Sequence, residues 1–267
     1  MWPTLLIIGC VVGLSQYPTS PTEVETGTAG MDSAVPDTDS AEPVEPEPSE
    51  RNDIWIYTGH GGAGVANPAG RGGLASIQDH WQNDGASTTV LSELPDIGQM
   101  AQPKLLVLAA PGIRTPLAFG ALDVRKIETF LESDGLLAIY IESCVNPHLD
   151  TLMSQLGLGI QMSSIMGGSD ELVHNAVLHA SSPFTTGIER LSLNAPCRLT
   201  VSTATVLASI EQSAGSEVFI ASGPTNYGGE AIVLGDLQLI DDAGHLEEAD
   251  NRLFASGIAS RVPETVP

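Results

Sequence analysis

The chain has 267 residues, of which 42% are hydrophobic, so it can bury a sizeable core in one or two domains. It carries 33 acidic and 10 basic residues, and its net charge of −23 repels nucleic acid and anionic lipid surfaces. Nine acidic residues lie in residues 17–50, which leaves a net charge of −14 from Arg51 onward. We therefore expect an acidic folded part that does not bind nucleic acid.

The N-terminus begins with a short apolar segment. Residues 5–14 form an apolar run of ten, whereas a membrane-spanning helix needs about 20 residues. Such a run is typical of a signal peptide, although no Lys or Arg precedes it. Residues 7–10, Ile-Ile-Gly-Cys, resemble the lipobox of bacterial lipoproteins, in which the Cys is diacylated. We predict a leader with lipobox at residues 1–16, lipidation of Cys10 and attachment to the membrane; a leader in which Cys10 is incidental is the alternative.

Residues 17–52 consist largely of Pro, Thr, Ser, Glu and Asp, with few large apolar side chains. Such a segment cannot bury enough apolar surface to offset the entropy of ordering. We predict a disordered acidic linker that separates the leader from a domain at residues 53–262.

The sequence of the domain predicts strands that alternate with helices. We predict strands at residues 53–57, 87–91, 104–110 and 136–141, and helices at residues 74–82, 123–132 and 148–156. Short strands follow at residues 188–193, 197–201, 205–210, 218–221 and 230–234, before a last helix at residues 249–259. Apolar strands that alternate with helices indicate an α/β fold with a mostly parallel sheet, here with an antiparallel extension.

Several segments resemble one family in their order along the chain. Residues 231–236, Ala-Ile-Val-Leu-Gly-Asp, followed by Asp-Asn-Arg-Leu at 250–253, resemble the closing motif of glutamine-amidotransferase-like domains of the DUF4350 and gliding-motility ABC-accessory kind. Residues 103–111, 126–135 and 183–188 resemble earlier segments of the same domains. The resemblance implies a flavodoxin-like, doubly wound sheet across residues 53–262.

True amidotransferases of this class carry a Cys in a Gly-x-Cys-x-Gly elbow and a His-x-Glu pair after the last strand. Cys144 stands near the place of the nucleophile, but the flanking glycines and the His-x-Glu pair are missing. A thiol nucleophile also needs a base, which His60 or His148 could supply. Catalysis by Cys144 is therefore the weaker hypothesis.

Ligands of open α/β sheets bind beyond the carboxyl ends of the strands. The residues that we predict at this rim are Gly59, Gly61, Gly62, Arg114, Glu142 and Asp236. The glycine-rich loop at residues 59–64 lacks the Lys-Ser/Thr of a phosphate-binding loop, so a tight turn explains it better.

Two further hypotheses concern cysteines and carboxylates. An oxidising compartment would allow a disulfide between Cys144 and Cys197. The sequence alone does not show whether the two cysteines lie within bonding distance, so this question stays open. Residues 241–248 contain Asp, Glu and His without the spacing of a known metal loop, which favours a polar loop that caps the following helix.

The sequence favours a non-catalytic envelope protein, anchored by its N-terminal lipid, whose domain binds a partner protein or a small ligand. The alternative is a cysteine-dependent envelope hydrolase or amidase that uses Cys144 with His60 or His148. We predict no cofactor and no metal for either function.

Overall fold

All residues that the computed structural model describes lie between Asp53 and Ser260. The described residues are 53–60, 73–96, 103–111, 118–142, 144, 146–165, 173–179, 182–212, 215–242, 245–247 and 249–260. The predicted leader with Cys10, the predicted linker, and the rim residues Gly61, Gly62 and Arg114 lie outside the described residues.

The described part of the chain contains strands, α-helices and two short 3₁₀ helices. The strands are β1 (Asp53–Tyr57), β2 (Ser87–Leu91), β3 (Leu105–Ala109), β4 (Leu136–Tyr140), β5 (Ile160–Ile165), β6 (Val173–Leu178), β7 (Leu191–Asn194), β8 (Cys197–Val201), β9 (Thr205–Gln212), β10 (Gly215–Pro224) and β11 (Glu230–Leu234). The helices are α1 (Ala75–Asn83), α2 (Ala121–Leu131), α3 (Pro147–Gln155) and α4 (Asn251–Ser260), with 3₁₀ helices at Leu237–Leu239 and His245–Glu247.

Five parallel strands form one half of the sheet, in the order β2-β1-β3-β4-β11. Strands β3 and β4 are buried at every residue. A strand that is covered on both faces meets no water on either side, so its sequence is apolar throughout. The continuous apolar runs at residues 104–110 and 136–141 therefore predict β3 and β4 to within one residue at each end.

The other half is antiparallel and is larger than the sequence indicates. Strand β11 pairs with antiparallel β10, the order continues through β9, β6 and β7, and β8 pairs with both β10 and β5. Between the described strands, six pairings are antiparallel and four are parallel. The fold is thus mixed α/β with a large mixed sheet, and the prediction of a mostly parallel sheet is corrected. Strands β5 and β6 escaped prediction because their sequences, IQMSSI and VHNAVL, mix polar and apolar residues without regular alternation.

Helices cover both faces of the parallel half. Alternate residues of each strand point to opposite faces, so Ile54 and Ile56 of β1 join one core, while Trp55 and Tyr57 join the other. The first core includes buried residues of α1 and α4, and the second includes buried residues of α2 and α3. None of the described helices is long and apolar enough to cross a membrane.

Candidate functional site at the carboxyl edge of the parallel strands

The parallel strands end at one edge of the sheet, and the predicted site residues follow them. Gly59 and His60 come after β1, Glu142 and Cys144 come after β4, and Asp236 comes after β11. Because β1, β3, β4 and β11 are parallel, these residues belong to the same edge. The geometry of each group decides what this edge can do chemically.

Cys144 is bonded to Cys197 in a disulfide, with 5.2 Å between their Cα atoms. This distance lies within the usual range for disulfides. Cys144 follows β4 and is 7% exposed, whereas Cys197 is the first residue of β8 and is 1% exposed. The structure therefore contains the disulfide that the sequence alone left open. In this bonded state the Cys144 sulfur is not a thiolate, so it cannot act as the nucleophile of the hydrolase alternative.

His60 lies between a phenol and a carboxylate. Its Nδ1 is hydrogen-bonded to the hydroxyl of Tyr57, and its Nε2 lies 3.4 Å from Oδ2 of Asp123 at the start of α2. The ring stacks on Phe119, with 4.3 Å between the ring centroids. An imidazole held by a carboxylate is thus present at the edge, but it faces the hydroxyl of Tyr57 rather than the sulfur of Cys144.

Tyr57 is poorly suited to act as a nucleophile. Burial, together with the negative charges of Asp123 and Glu93, raises the pKa of Tyr57 to about 12. The side chain is 2% exposed, and the chain passes over its hydroxyl at Gly59. A Cβ added at Gly59 would lie 2.3 Å from that hydroxyl oxygen, so only glycine fits there. The Asp-His-Tyr series therefore lacks an exposed, ionisable nucleophile.

Asp236 is almost fully buried at the end of β11. Its carboxylate accepts hydrogen bonds from the backbone N–H of Asn194, at 2.5 Å, and of Gln238, at 2.8 Å. Burial raises the pKa of Asp236 to about 7; these hydrogen bonds lower it, while Glu142 and Asp241 raise it. Glu142 and Asp236 are thus close enough for their charges to interact, as expected for two residues of one rim.

The backbone of His148 takes part in the N-terminal cap of α3. It lies in the first turn of α3, where its backbone N–H donates to Oδ1 of Asn146 at 3.1 Å. The Asn146 amide in turn donates to the carbonyl of Pro111 after β3, at 2.8 Å. Asn146 is therefore the N-cap of α3, and its side chain also ties the start of this helix to the end of β3.

The acidic segment at residues 241–248 contains the cap of a different helix from the one that the sequence predicts. Asp242 accepts hydrogen bonds from the backbone N–H groups of Ala75 and Ser76, at 3.0 and 2.7 Å, so it caps α1 rather than the following helix. Among the residues that the structure describes, no group of three or more His, Cys, Asp or Glu side chains could hold a metal ion.

A shallow cleft of about 350 Å³ between α1 and α4 was missed by the sequence analysis. Here Nε2 of His80 lies 2.7 Å from Oγ of Ser256, and this hydroxyl lies 2.8 Å from Oδ2 of Asp84. The same carboxylate oxygen lies 3.6 Å from Nε2 of His80, so the serine and the carboxylate share one ring nitrogen, whereas in a catalytic triad the carboxylate would orient the histidine through Nδ1. His80 and Ser256 are 176 residues apart, so no local motif could have joined them.

The fold places the domain among α/β proteins with an open mixed sheet, and no family model and no curated protein matches the chain. The mmIFT52 N-terminal domain matches with a TM-score of 0.62 and 14% identity over 78% of this chain and 98% of that chain. A ThuA-like protein from Bacteroides uniformis matches with a TM-score of 0.53 and 12% identity, over 78% and 88% of the two chains. A β-galactosidase from Bacillus circulans sp. alkalophilus matches with a TM-score of 0.52 and 11% identity, over 78% of this chain but 30% of its own. At these identities the similarity concerns the fold alone.

Proposed function

We propose that the chain is an exported, lipid-anchored protein of the bacterial cell envelope whose domain binds a partner protein or a small ligand without catalysing a reaction. The observation that carries this proposal is the disulfide between Cys144 and Cys197. Disulfides persist in oxidising compartments and are rare in the cytosol, which supports export. The same bond removes the sulfur on which the hydrolase alternative depends.

The other groups at the carboxyl edge also support a binding role. His60 is engaged by Tyr57 and Asp123 on its two ring nitrogens, and the pKa of Tyr57 is too high for a phenolate at neutral pH. A nucleophile with an adjacent, correctly oriented base is the minimum for covalent catalysis. The described part of this edge lacks such a pair.

We infer further that the domain is flavodoxin-like and related to the amidotransferase-like domains of the DUF4350 kind. The proposed relation to the amidotransferase-like domains rests on the resemblance in sequence alone, chiefly at residues 231–236 and 250–253. The order β2-β1-β3-β4-β11 supports the flavodoxin-like part of this inference, because it corresponds to the flavodoxin-like order 2-1-3-4-5. Such sheets bind ligands at the carboxyl edge, beside the first and third strands. The acidic composition disfavours nucleic acid as the ligand, and we propose no cofactor.

The disulfide can be tested in cells that produce the full chain. Cells are quenched with acid, the protein is dissolved in denaturant so that burial cannot protect a thiol, free thiols are blocked with a maleimide carrying a polyethylene glycol chain, and the modified cysteines are mapped. We expect Cys144 and Cys197 to stay unmodified until a reductant is added. As a control, the Cys144→Ala variant should expose Cys197 to the reagent without reduction. Modification of Cys144 in the unreduced wild-type protein would contradict the proposal and restore the hydrolase alternative.

The lipid anchor can be tested by fractionation. We expect the wild-type chain in the membrane fraction and the Cys10→Ser variant in the soluble fraction, because the variant cannot be diacylated. The Cys197→Ser variant is the matched control, since it loses a cysteine but keeps the proposed anchor, and it should remain in the membrane. If the Cys10→Ser variant also remains there, the lipid anchor is wrong.

A further inference from the structure

The cleft between α1 and α4 is lined by apolar and acidic side chains. Leu246 is buried there, and Leu253 of α4 is 49% exposed. Asp84, the residue after α1, and Asp250, the residue before α4, belong to the same lining. The volume of about 350 Å³ is near the lower end of the usual range for ligand pockets, about 300–1,000 Å³. The cleft therefore has room for one long side chain or a similarly small ligand.

The carboxylate of Asp84 can accept a further hydrogen bond. Its Oδ2 accepts from the hydroxyl of Ser256 at 2.8 Å and lies 3.6 Å from Nε2 of His80. Its Oδ1 has no hydrogen-bond partner among the described residues. An ionised carboxylate can accept hydrogen bonds on both oxygens, and the side chain of Asp84 is 49% exposed. A donor that enters the cleft can therefore reach Asp84.

The other carboxylates of the cleft have arginine neighbours, whereas Asp84 does not. Glu247 pairs with the guanidinium of Arg252, and the positive charge of Arg190 acts on Asp250. Within the described part of the chain, no Lys or Arg side chain forms an ion pair with Asp84. A cationic ligand would therefore complement the charge of Asp84.

We propose that this cleft binds a lysine or arginine side chain of a partner protein, with the charged head on Asp84 and the aliphatic stem against Leu253. The inference rests on the proposed binding role and names the chemistry of the partner. A long basic side chain meets both requirements, because its methylene stem packs on apolar surface while its head stays in a polar environment. The net charge of −23 also attracts a basic partner during the encounter.

The charge of the chain itself argues against two other occupants. Residues 17–50 contain nine acidic residues and no Lys or Arg, so the predicted linker has no cationic head group to place on Asp84. A second copy of the chain carries the same negative net charge and is repelled. A partner protein with exposed Lys or Arg is the occupant that the charges favour.

Binding can be measured by nuclear magnetic resonance of the full chain, labelled with ¹⁵N and kept in solution with a neutral detergent. The probe is N-acetyl-arginine amide, and N-acetyl-citrulline amide, which has nearly the same shape but no charge, is the control ligand. We expect saturable shifts of the backbone amides of Asp84 and Leu253 with the arginine probe, and roughly two- to fivefold weaker binding of the citrulline compound, as for loss of an exposed ion pair. Equal binding of the two compounds, or arginine shifts that do not saturate, would overturn the proposal.

Two variants of α1 make the assignment specific. Asp84→Asn should weaken binding of the arginine probe by roughly two- to fivefold, because it removes the charge and keeps the shape of the side chain. Asp79→Asn is the matched control, since it removes the same charge from an exposed position of α1 outside the cleft, and it should bind like the wild type. Equal affinities of the two variants would show that the probe responds only to the net charge.

A substitution on α4 tests the apolar contact. Leu253→Ala should weaken binding of the arginine and citrulline compounds by a similar factor, because the stem is common to both. Unchanged affinities would contradict the proposed position of the stem. The mapping of the disulfide tests the proposed function separately: a bonded Cys144 together with no binding at Asp84 would refute the cleft alone, whereas a free Cys144 would refute the proposed function.

Discussion

The sulfur of Cys144 is bonded to the sulfur of Cys197, so the carboxyl end of β4 is covalently joined to the first residue of β8. β4 lies between β3 and β11 in the parallel half, and β8 pairs with β10 and β5 in the antiparallel half. Next to the bond, the backbone N–H of Cys197 donates to the carbonyl of Gly235 at 2.7 Å. The disulfide therefore connects the two halves of the sheet.

We expect reduction of this disulfide to destabilise the domain. The bond closes a loop across 53 residues of sequence, and removing such a cross-link typically costs about 2–4 kcal/mol, largely because the unfolded chain gains freedom. The measurement is urea unfolding with and without reductant. A variant with both Cys144→Ala and Cys197→Ala is the control, since reductant should not change its unfolding free energy. Equal stability of the oxidised and reduced wild type would show that the bond has no structural role.

We expect the Gly59→Ala substitution to lower the free energy of unfolding by about 1–3 kcal/mol, as overpacking of a filled site does. The added Cβ would lie 2.3 Å from the hydroxyl oxygen of Tyr57 and 2.5 Å from the backbone carbonyl of Ser92, and backbone cannot move aside easily. Gly257→Ala in α4 is the control, because its nearest contact is 3.3 Å, to the carbonyl of Phe184. The prediction fails if the two variants unfold at the same urea concentration.

The contacts of His60 predict its tautomer. Oδ2 of Asp123 lies 3.4 Å from Nε2 of His60 and favours a proton there, so we expect Nδ1 to accept from the hydroxyl of Tyr57. Nitrogen chemical shifts of the imidazole at neutral pH should report this single tautomer. In the Tyr57→Phe variant the Nδ1 partner is lost, so we expect the Nδ1 shift to move away from that of a hydrogen-bonded acceptor. A proton on Nδ1 of the neutral wild-type ring would contradict the assignment.

Asp250 should contribute to stability in the opposite pH direction from Asp236. Hydrogen bonds from the backbone N–H of Arg190 and of Glu189 lower the pKa of Asp250 below 3.8. A lowered pKa in the folded state gives a stabilisation that is present above 3.8 and is lost as the pH falls through the folded-state pKa. We expect Asp250→Asn to lower the melting temperature at pH 7, and this difference to shrink in strong acid. Asp79→Asn, at an exposed position of α1, is the control and should change little at either pH. A difference between Asp250→Asn and the wild type that does not vary with pH would exclude this role.

Much of the parallel half could be predicted because the pattern of apolar residues that marks a strand or a helix lies within its own sequence. The predicted strands at residues 53–57, 87–91 and 230–234 agree with β1, β2 and β11 at both ends, and β8 was also predicted at both ends. Helices α1 to α4 lie within a few residues of their predicted positions, since their buried residues repeat with helical spacing. Strands β5 and β6 could not be predicted, because their pairing partners rather than their own sequences determine them.

The candidate site, too, could be predicted only in part. The sequence alone determined which residues follow the parallel strands, including His60, Glu142, Cys144 and Asp236, since the end of an apolar run marks the end of a buried strand. Only the tertiary structure decided what each residue contacts: Cys144 reaches Cys197 across 53 residues, and His60 contacts Asp123 instead of a thiol. The physical reason is that hydrophobic periodicity acts over one strand or helix, whereas a disulfide, an ion pair or a buried carboxylate depends on the close packing of distant segments.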